Sequence, residues 1–361
     1  MEIAIIGAGA GGIVAAITAA RKGGDVTIYE KSDRIGRKIL ASGNGRCNLS
    51  NTNMSGKFYN APEYVDGIYK LVPLSKVLEF FKSIGLLTYC DEEGRIYPVT
   101  NQASTVLDCL RNELARLNVK IITNAHIKLD ADSSLFNEYD KVIWATGGNA
   151  GGSAIPSLVP LVTDKKWLKA MNGVRVDARL TFNGATEQGE VLFRDYGISG
   201  IAVFNISAMM ARQAAETGKY GGVIKMELLP GMDKAELIKN LTDKLKNITD
   251  KPDHFFTGML NKNLSAIISN ELGLSRRRIT AQDIESIAEL MKNIHINVYK
   301  PKGFAEAQVV SGGISLDEVD NVRSKLNDKL LIIGEALNVD GLCGGYNLHF
   351  AWATGILAGK L

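Results

Sequence analysis

Gly7-Ala8-Gly9-Ala10-Gly11-Gly12, with Glu30 18 residues after Gly12, has the residue types and spacing to hold a dinucleotide. Gly7 permits a tight turn, Gly9 lets the backbone approach a diphosphate, and Gly12 lets a helix pack closely on a sheet. Free N–H groups and the dipole at the start of that helix favour an anion. A carboxylate at Glu30, with Lys31 beside it, accepts from ribose hydroxyls and repels a 2′-phosphate. GxGxxG alone is a weak signal, and its strand, turn, helix and acid-ended strand make it specific.

FAD and NAD share that fingerprint, so the choice between them needs other motifs. Lys141 to Trp144 reads as a buried strand ending in Ala145-Thr146-Gly147-Gly148, the turn flavoproteins carry where the chain passes back beside FAD. Gly334-Glu335 ends another strand, and an acid there suits ribityl hydroxyls. Asp340 follows, and Gly344-Gly345-Tyr346-Asn347-Leu348 enters a helix whose N–H groups suit the pyrimidine end of a flavin. Together the three motifs point to FAD. No second GxGxxG is present, because the glycines of Gly148 to Ser153 belong to the Ala-Thr-Gly-Gly turn. NAD(P)H is therefore expected only as a transient reductant.

Candidates for proton handling are few. His349 follows the glycine-rich tail, Tyr97 lies on a strand and Arg46 in a glycine-rich loop. Packing is the simpler expectation for His349 and Tyr97. Cys47 is read as a packing residue. None of the histidines or cysteines shows metal-ligand spacing.

These residues need particular elements to position them. Ile3 to Ile6, Ile13 to Arg21 and Asp25 to Tyr29 form a βαβ unit. A loop from Lys31 to Asn53 carries Gly36, Gly43 and Gly45 with Arg34, Arg37, Lys38 and Arg46 and shows little periodicity. Helical patterns run over Leu74 to Ser83 and Thr105 to Leu117, with a hairpin at Leu87 to Val99 between them. Beyond Gly152 the organisation shifts. Strands at Val174 to Phe182 and Gly222 to Leu229 precede helical patterns at Asp233 to Lys246, Thr257 to Leu272 and Thr280 to Lys292. A strand at Leu330 to Ile333 and a helix at Asn347 to Lys360 restore the first character.

Across 361 residues, 45% hydrophobic and 22% charged content is that of an ordinary globular protein, and a net charge of +3 does not by itself suggest a nucleic-acid or membrane partner, neither of which is expected. The apolar N-terminal stretch lacks a basic flank and is broken by four glycines, so it is not read as a signal peptide or a span. A cytoplasmic location is expected, and no oligomeric state is indicated.

Gly36-Arg37-Lys38-Ile39-Leu40-Ala41-Ser42-Gly43-Asn44-Gly45-Arg46-Cys47-Asn48-Leu49-Ser50-Asn51 resembles the hallmark of the YhiN/BaiN-like NAD(P)/FAD-dependent oxidoreductases of bacteria and archaea. Gly94 to Pro98, Val310 to Ile314 and Gly334 to Leu348 match the same family. The chain departs from it in a short Gly147 to Pro160 segment and in Ile201 where relatives carry proline. The resemblance implies an α/β fold in which a Rossmann-type FAD-binding domain (1–165 and 306–361) is split by an insert. That insert comprises a β-barrel-like part (166–231 and 293–305) and a helical part (232–292), which would cap the flavin. Gly36, Arg37, Lys38 and the Ser42, Gly43, Asn44, Gly45 and Asn48 loop are then placed with the cofactor. The implied activity is hydride transfer through flavin N5 to or from a small organic molecule of enone type. A flavin-dependent RNA-modifying enzyme and a non-catalytic flavin redox sensor are the alternatives.

Overall fold

A computed structural model describes residues 1–128, 134–148 and 154–361, and residues 149–153 of the Gly148 to Ser153 stretch lie outside the described set. The chain divides into two compact units, Met1–Ile155 with Gln308–Leu361, and Pro156–Ala307.

In the first unit, β1 (Glu2–Ile6) buries every residue but its first, as a strand covered on both faces does. The chain turns at Gly7 into α1 (Ala10–Arg21), and Gly23, at φ 86°, leads into β2 (Asp25–Tyr29). The expected loop from Lys31 to Asn53 contains three short elements, α2 (Arg37–Ala41), a 3-10 turn (Ser42–Gly45) and β3 (Ser50–Asn51). Next come α3 (Pro62–Leu71), α4 (Leu74–Ser83), β4 (Thr88–Cys90), β5 (Arg95–Pro98), α5 (Ala103–Arg116), β6 (Lys120–Ile122) and β7 (Lys141–Trp144). β3, β5 and β4 make a small antiparallel sheet.

The second unit is a closed six-stranded antiparallel barrel with helices. Its strands are β8 (Leu161–Thr163), β9 (Arg175–Phe182), β10 (Ala185–Arg194), β11 (Gly197–Ser199), β12 (Gly222–Leu228) and β13 (Ile294–Pro301). They close in the order β9-β10-β11-β8-β13-β12. β13 shows why: Ile294, Ile296 and Val298 are buried while His295, Asn297 and Tyr299 face out. β8 pairs with β11 and β13, so residues 161–163 belong to the barrel rather than to the first part of the FAD domain.

The unit's longer helices are α6 (Ile201–Thr217), α7 (Lys234–Asn247), α8 (Lys262–Glu271) and α9 (Ala281–Lys292). Asp233 accepts the Glu236 N–H to cap α7, and Thr280 and Asp283 form a capping box on α9. α6 was not foreseen. It is buried over much of its circumference, so it lacks the one-sided apolar stripe that marks an amphipathic helix.

The chain returns through β14 (Val319–Asp320), β15 (Arg323–Ser324) and β16 (Leu330–Ile332) to α10 (Tyr346–Ala358). The sheet order is β14-β15-β16-β7-β1-β2-β6, with the last five strands parallel. α10 lies along α1 in the same direction. A Cβ on Gly355 would fall 2.5 Å from the Gly11 carbonyl, and one on Gly359 2.6 Å from that of Ala15. Glycine on both helices therefore permits a close parallel contact.

Candidate cofactor and active site

The fingerprint glycines differ in what surrounds them. A Cβ on Gly7, at φ 105°, would lie 2.5 Å from the Ala145 carbonyl, so the ends of β1 and β7 pinch together here. A Cβ on Gly12 would meet the Gly7 carbonyl at 2.0 Å. Around Gly9 a Cβ would meet nothing within 4 Å, so the space before the α1 N-terminus is open. Helix geometry leaves the amides of Ala10, Gly11 and Gly12 without intrahelical acceptors. Gly11 also serves packing, since its Cβ would lie 3.1 Å from the Ala351 carbonyl.

Glu30 is buried and held at the end of β2. One carboxylate oxygen accepts the Ala8 N–H at 2.8 Å and the other the Ser32 N–H at 2.8 Å. Each oxygen keeps a second lone pair for a hydroxyl donor. The Gly36 N–H donates to the Ala8 carbonyl at 2.9 Å, which folds the loop after Glu30 back onto the glycine turn. Lys31 and Arg37 are exposed nearby in sequence.

The second and third motifs meet at Glu335. Its carboxylate accepts from the Val310 N–H at 2.5 Å, the Gly148 N–H at 3.3 Å and Lys38 Nζ at 3.1 Å. The hallmark loop, the Ala-Thr-Gly-Gly turn and the C-terminal tail are thereby joined through one side chain. Glu335 was expected to reach ribityl hydroxyls, and much of its accepting capacity is instead taken by the protein. Thr146 Oγ1, on the same turn, is buried without a partner.

The loop from Ser42 to Asn48 winds through positive φ at Gly43, Asn44, Gly45 and Cys47. Amides of Arg46 and Cys47 close it on the Gly43 and Ser42 carbonyls. The Cys47 thiol is fully buried, and burial pushes its pKa up to about 11, so it packs rather than reacts. Its terminal residue reaches the tail: a Cβ on Gly345 would lie 2.7 Å from Asn48 Oδ1 and 2.5 Å from the Ser50 carbonyl. Asn48 Oδ1 is buried and has no hydrogen-bond partner. Gly345, at φ 93°, caps α10, whose first amides (Tyr346, Asn347 and Leu348) have no intrahelical acceptor. An orphaned acceptor thus sits beside free donors.

Several tail residues have structural partners that the sequence did not reveal. Asp340 is buried and accepts from Ser311 Oγ at 3.3 Å; its N–H donates to Asn60 Oδ1 at 3.0 Å and its carbonyl accepts the Asn60 N–H at 3.1 Å. Asn347 clamps the 341–342 turn, accepting the Gly341 N–H and donating to the Gly341 carbonyl, both at 2.8 Å. Tyr346 is buried and stacks on Phe58 at 4.4 Å, and its carbonyl accepts from the Tyr59 hydroxyl. Gly344 receives the Asn51 amide on its carbonyl at 3.2 Å. Ser50, Asn51, Tyr59 and Asn60 were not singled out as contributors. Ser50 and Asn51 end the hallmark motif, whereas nothing local marks Tyr59 or Asn60.

His349 does not fit a proton-transfer role. It is fully buried, its Nδ1 pairs with Ser50 Oγ at 2.8 Å and its Nε2 has no partner. Burial depresses its pKa to about 3, which keeps the ring neutral. Tyr97 is buried as well, stacked on Tyr89 at 6.0 Å. Arg46 is exposed, with its guanidinium carbon 4.9 Å from the centre of the Tyr97 ring. All four cysteines are free thiols.

Residues 1–361 match the model of the family described as HI0933-like protein Rossmann domain. The chain is 37% identical over 411 residues to the 3-dehydro-bile acid delta(4,6)-reductase of Clostridium scindens, covering 99% of this chain and 98% of that one. It is 26% identical to the ribosomal RNA dihydrouridine synthase of Haemophilus influenzae, covering 98% and 96%. With the protein of the same name from Escherichia coli identity is 24%, covering 97% and 95%.

Proposed function

The chain belongs to the HI0933-like family of Rossmann-domain proteins, and from that premise we propose that it is an FAD-dependent oxidoreductase that reduces a carbon–carbon double bond conjugated to a carbonyl. The observation that carries this reading is Asn48 Oδ1, buried and unpartnered beside the free amides of α10. An acceptor flanked by donors complements the pyrimidine edge of an isoalloxazine, where an N–H lies between carbonyls. At the other end, the open space at Gly9, the first amides of α1 and the carboxylate of Glu30 suit the diphosphate and the adenosine ribose. FAD, when bound, supplies hydride transfer at N5, with NADH or NADPH as the source of reducing equivalents.

The C. scindens relative, named as a reductase of an unsaturated bile acid, supports a small hydrophobic enone as the substrate class. A second reading has support too, because two relatives are named as ribosomal RNA dihydrouridine synthases. Against it, Arg277 pairs with Asp283 and Arg278 with Asp250, so two residues of the Arg276 to Arg278 triplet are engaged within the protein. The test begins with the purified protein, expected to be yellow and to be bleached anaerobically by NADH or NADPH. Reoxidation is then followed with a 3-oxo-Δ4 steroid and, separately, with uridine-containing ribosomal RNA. Protein that is colourless and takes up no FAD on reconstitution rules the proposal out, and reoxidation by RNA alone selects the second reading.

A further inference from the structure

The loop from Ser42 to Asn48 presents a cation whose charge nothing in the described structure balances. Arg46 is exposed and forms no ion pair with a described residue, whereas Arg21, Arg95 and Arg116 of the same unit each pair with a carboxylate. It is nonetheless seated. Its guanidinium lies over the Tyr97 ring, Tyr97 is buried, and Tyr89 stacks on Tyr97. Burial also raises the Tyr97 pKa, so the ring under the cation stays a neutral phenol instead of cancelling its charge. The backbone is held as firmly, by the loop's internal hydrogen bonds and by the buried Cys47 side chain. An exposed arginine ordinarily loses rotamer entropy when it engages a ligand, and a preset aromatic seat lowers that cost. Two residues on, Asn48 borders the α10 N-terminus, where the flavin pyrimidine is proposed to lie.

We infer that Arg46 is a catalytic residue, whose guanidinium holds the carbonyl oxygen of the alkene substrate and stabilises the enolate that forms there. The inference rests on the flavoprotein reading above. In a conjugate reduction the β carbon receives a hydride, whose electron pair comes from reduced flavin. The π pair of the double bond shifts toward the α carbon, and the carbonyl pair moves onto oxygen, which becomes anionic. A proton from solvent then completes the C–H bond at the α carbon as the carbonyl reforms. Charge develops on one oxygen, and a fixed cation aimed there lowers the barrier. Guanidinium suits the task because it is charged at any working pH and its planar donors are pre-oriented. The same group serves an enone ketone or a uracil carbonyl, so the inference is independent of which substrate is used.

The test uses FAD-loaded protein and 4-nitrophenol, whose phenolate places charge on a conjugated oxygen as an enolate does. Flavin absorbance is recorded first, so loss of FAD is seen separately and counts against the flavoprotein reading alone. Ionisation of the bound phenol is then followed by its own absorbance across pH, with nitrobenzene as the uncharged control. The bound phenol is expected to ionise at least about one pH unit below the free probe. Arg46→Gln should abolish that shift, Arg46→Lys should keep part of it, and Tyr97→Leu should weaken it with the cation still present. Nitrobenzene should bind parent and Arg46→Gln alike. A shift that survives Arg46→Gln overturns the proposal. So does a yellow parent protein that does not bind the phenol, or nitrobenzene affinity that falls in step with that of the phenol.

Discussion

The proposed cofactor site at the carboxyl ends of β1 and β7 and the cleft beside the barrel are opposite kinds of surface. The barrel-side cleft has a volume of about 600 Å³ and is lined by Arg179, Glu227, Lys234 and Lys292, among others. These four charges are satisfied within the protein. Lys292 Nζ, almost wholly buried, donates to the carbonyls of Leu228, Leu229 and Met232 and to Glu227. Arg179 also pairs with Glu227, and Lys234 with Glu285 and Glu289. The proposed cofactor site has bare amides at two helix starts, an orphaned Asn48 oxygen, an orphaned Thr146 hydroxyl and, two residues before Asn48, an Arg46 that forms no ion pair with a described residue. Unsatisfied hydrogen-bonding capacity, rather than room, is what supports the proposed cofactor site. A polar group left unpartnered in the protein alone costs stability unless something else completes it.

That contrast can be broken most sharply at the fingerprint. Gly9→Val meets only open space, so the fold should persist by circular dichroism while FAD affinity falls by about 10³-fold or more, some 4 kcal/mol. Gly12→Val meets the Gly7 carbonyl and should instead lower the unfolding temperature. Equal destabilisation by both substitutions would mean that the space at Gly9 is not a ligand site. In the barrel, Lys292→Met strips an almost wholly buried cation from three carbonyls and should cost about 3–5 kcal/mol in urea unfolding. If the lysine is purely structural, the FAD absorbance of the folded variant should be unchanged. Arg46→Gln should lower the rate of alkene reduction by about 10²-fold with FAD retained, as for a lost oxyanion donor.

The smallest effect concerns His349 and depends on pH. Its folded pKa, near 3, lies below the ordinary value of about 6.5, so the unfolded chain binds the proton more readily. Stability from the neutral ring is present above about pH 6.5 and is lost as pH falls toward 3, at about 1.4 kcal/mol per pH unit. Between pH 6.5 and 5 the loss should be roughly 2 kcal/mol, and His349→Phe should remove it, as read from urea midpoints at the two pH values. An unchanged acid limb would show that the ring is not held neutral.

Legibility in the sequence followed the range of the interactions. Asp25–Tyr29, Leu74–Ser83 and Lys141–Trp144 have the bounds their patterns suggest, because burial on both faces or on one helix stripe is written locally. α6 was missed because burial on many sides erases the stripe. The barrel's first strand was missed because three residues carry too little pattern, and only pairing with β11 and β13 identifies it.

The same division holds in the candidate site. By itself the sequence determined the glycine turn, the helix start and the acid after β2, since φ freedom, helix-end amides and strand spacing are properties of short segments. Tertiary structure alone decided which polar residues remain available. Glu335 is engaged by Lys38, Gly148 and Val310, Asp340 by Ser311, and His349 by Ser50, and most of these partners lie far away in the chain. A hydrogen bond between distant segments leaves no local trace in composition or period. For that reason a list of candidate acids and bases read from the motifs could not show that Asn48 and Arg46 were among the groups left unpaired.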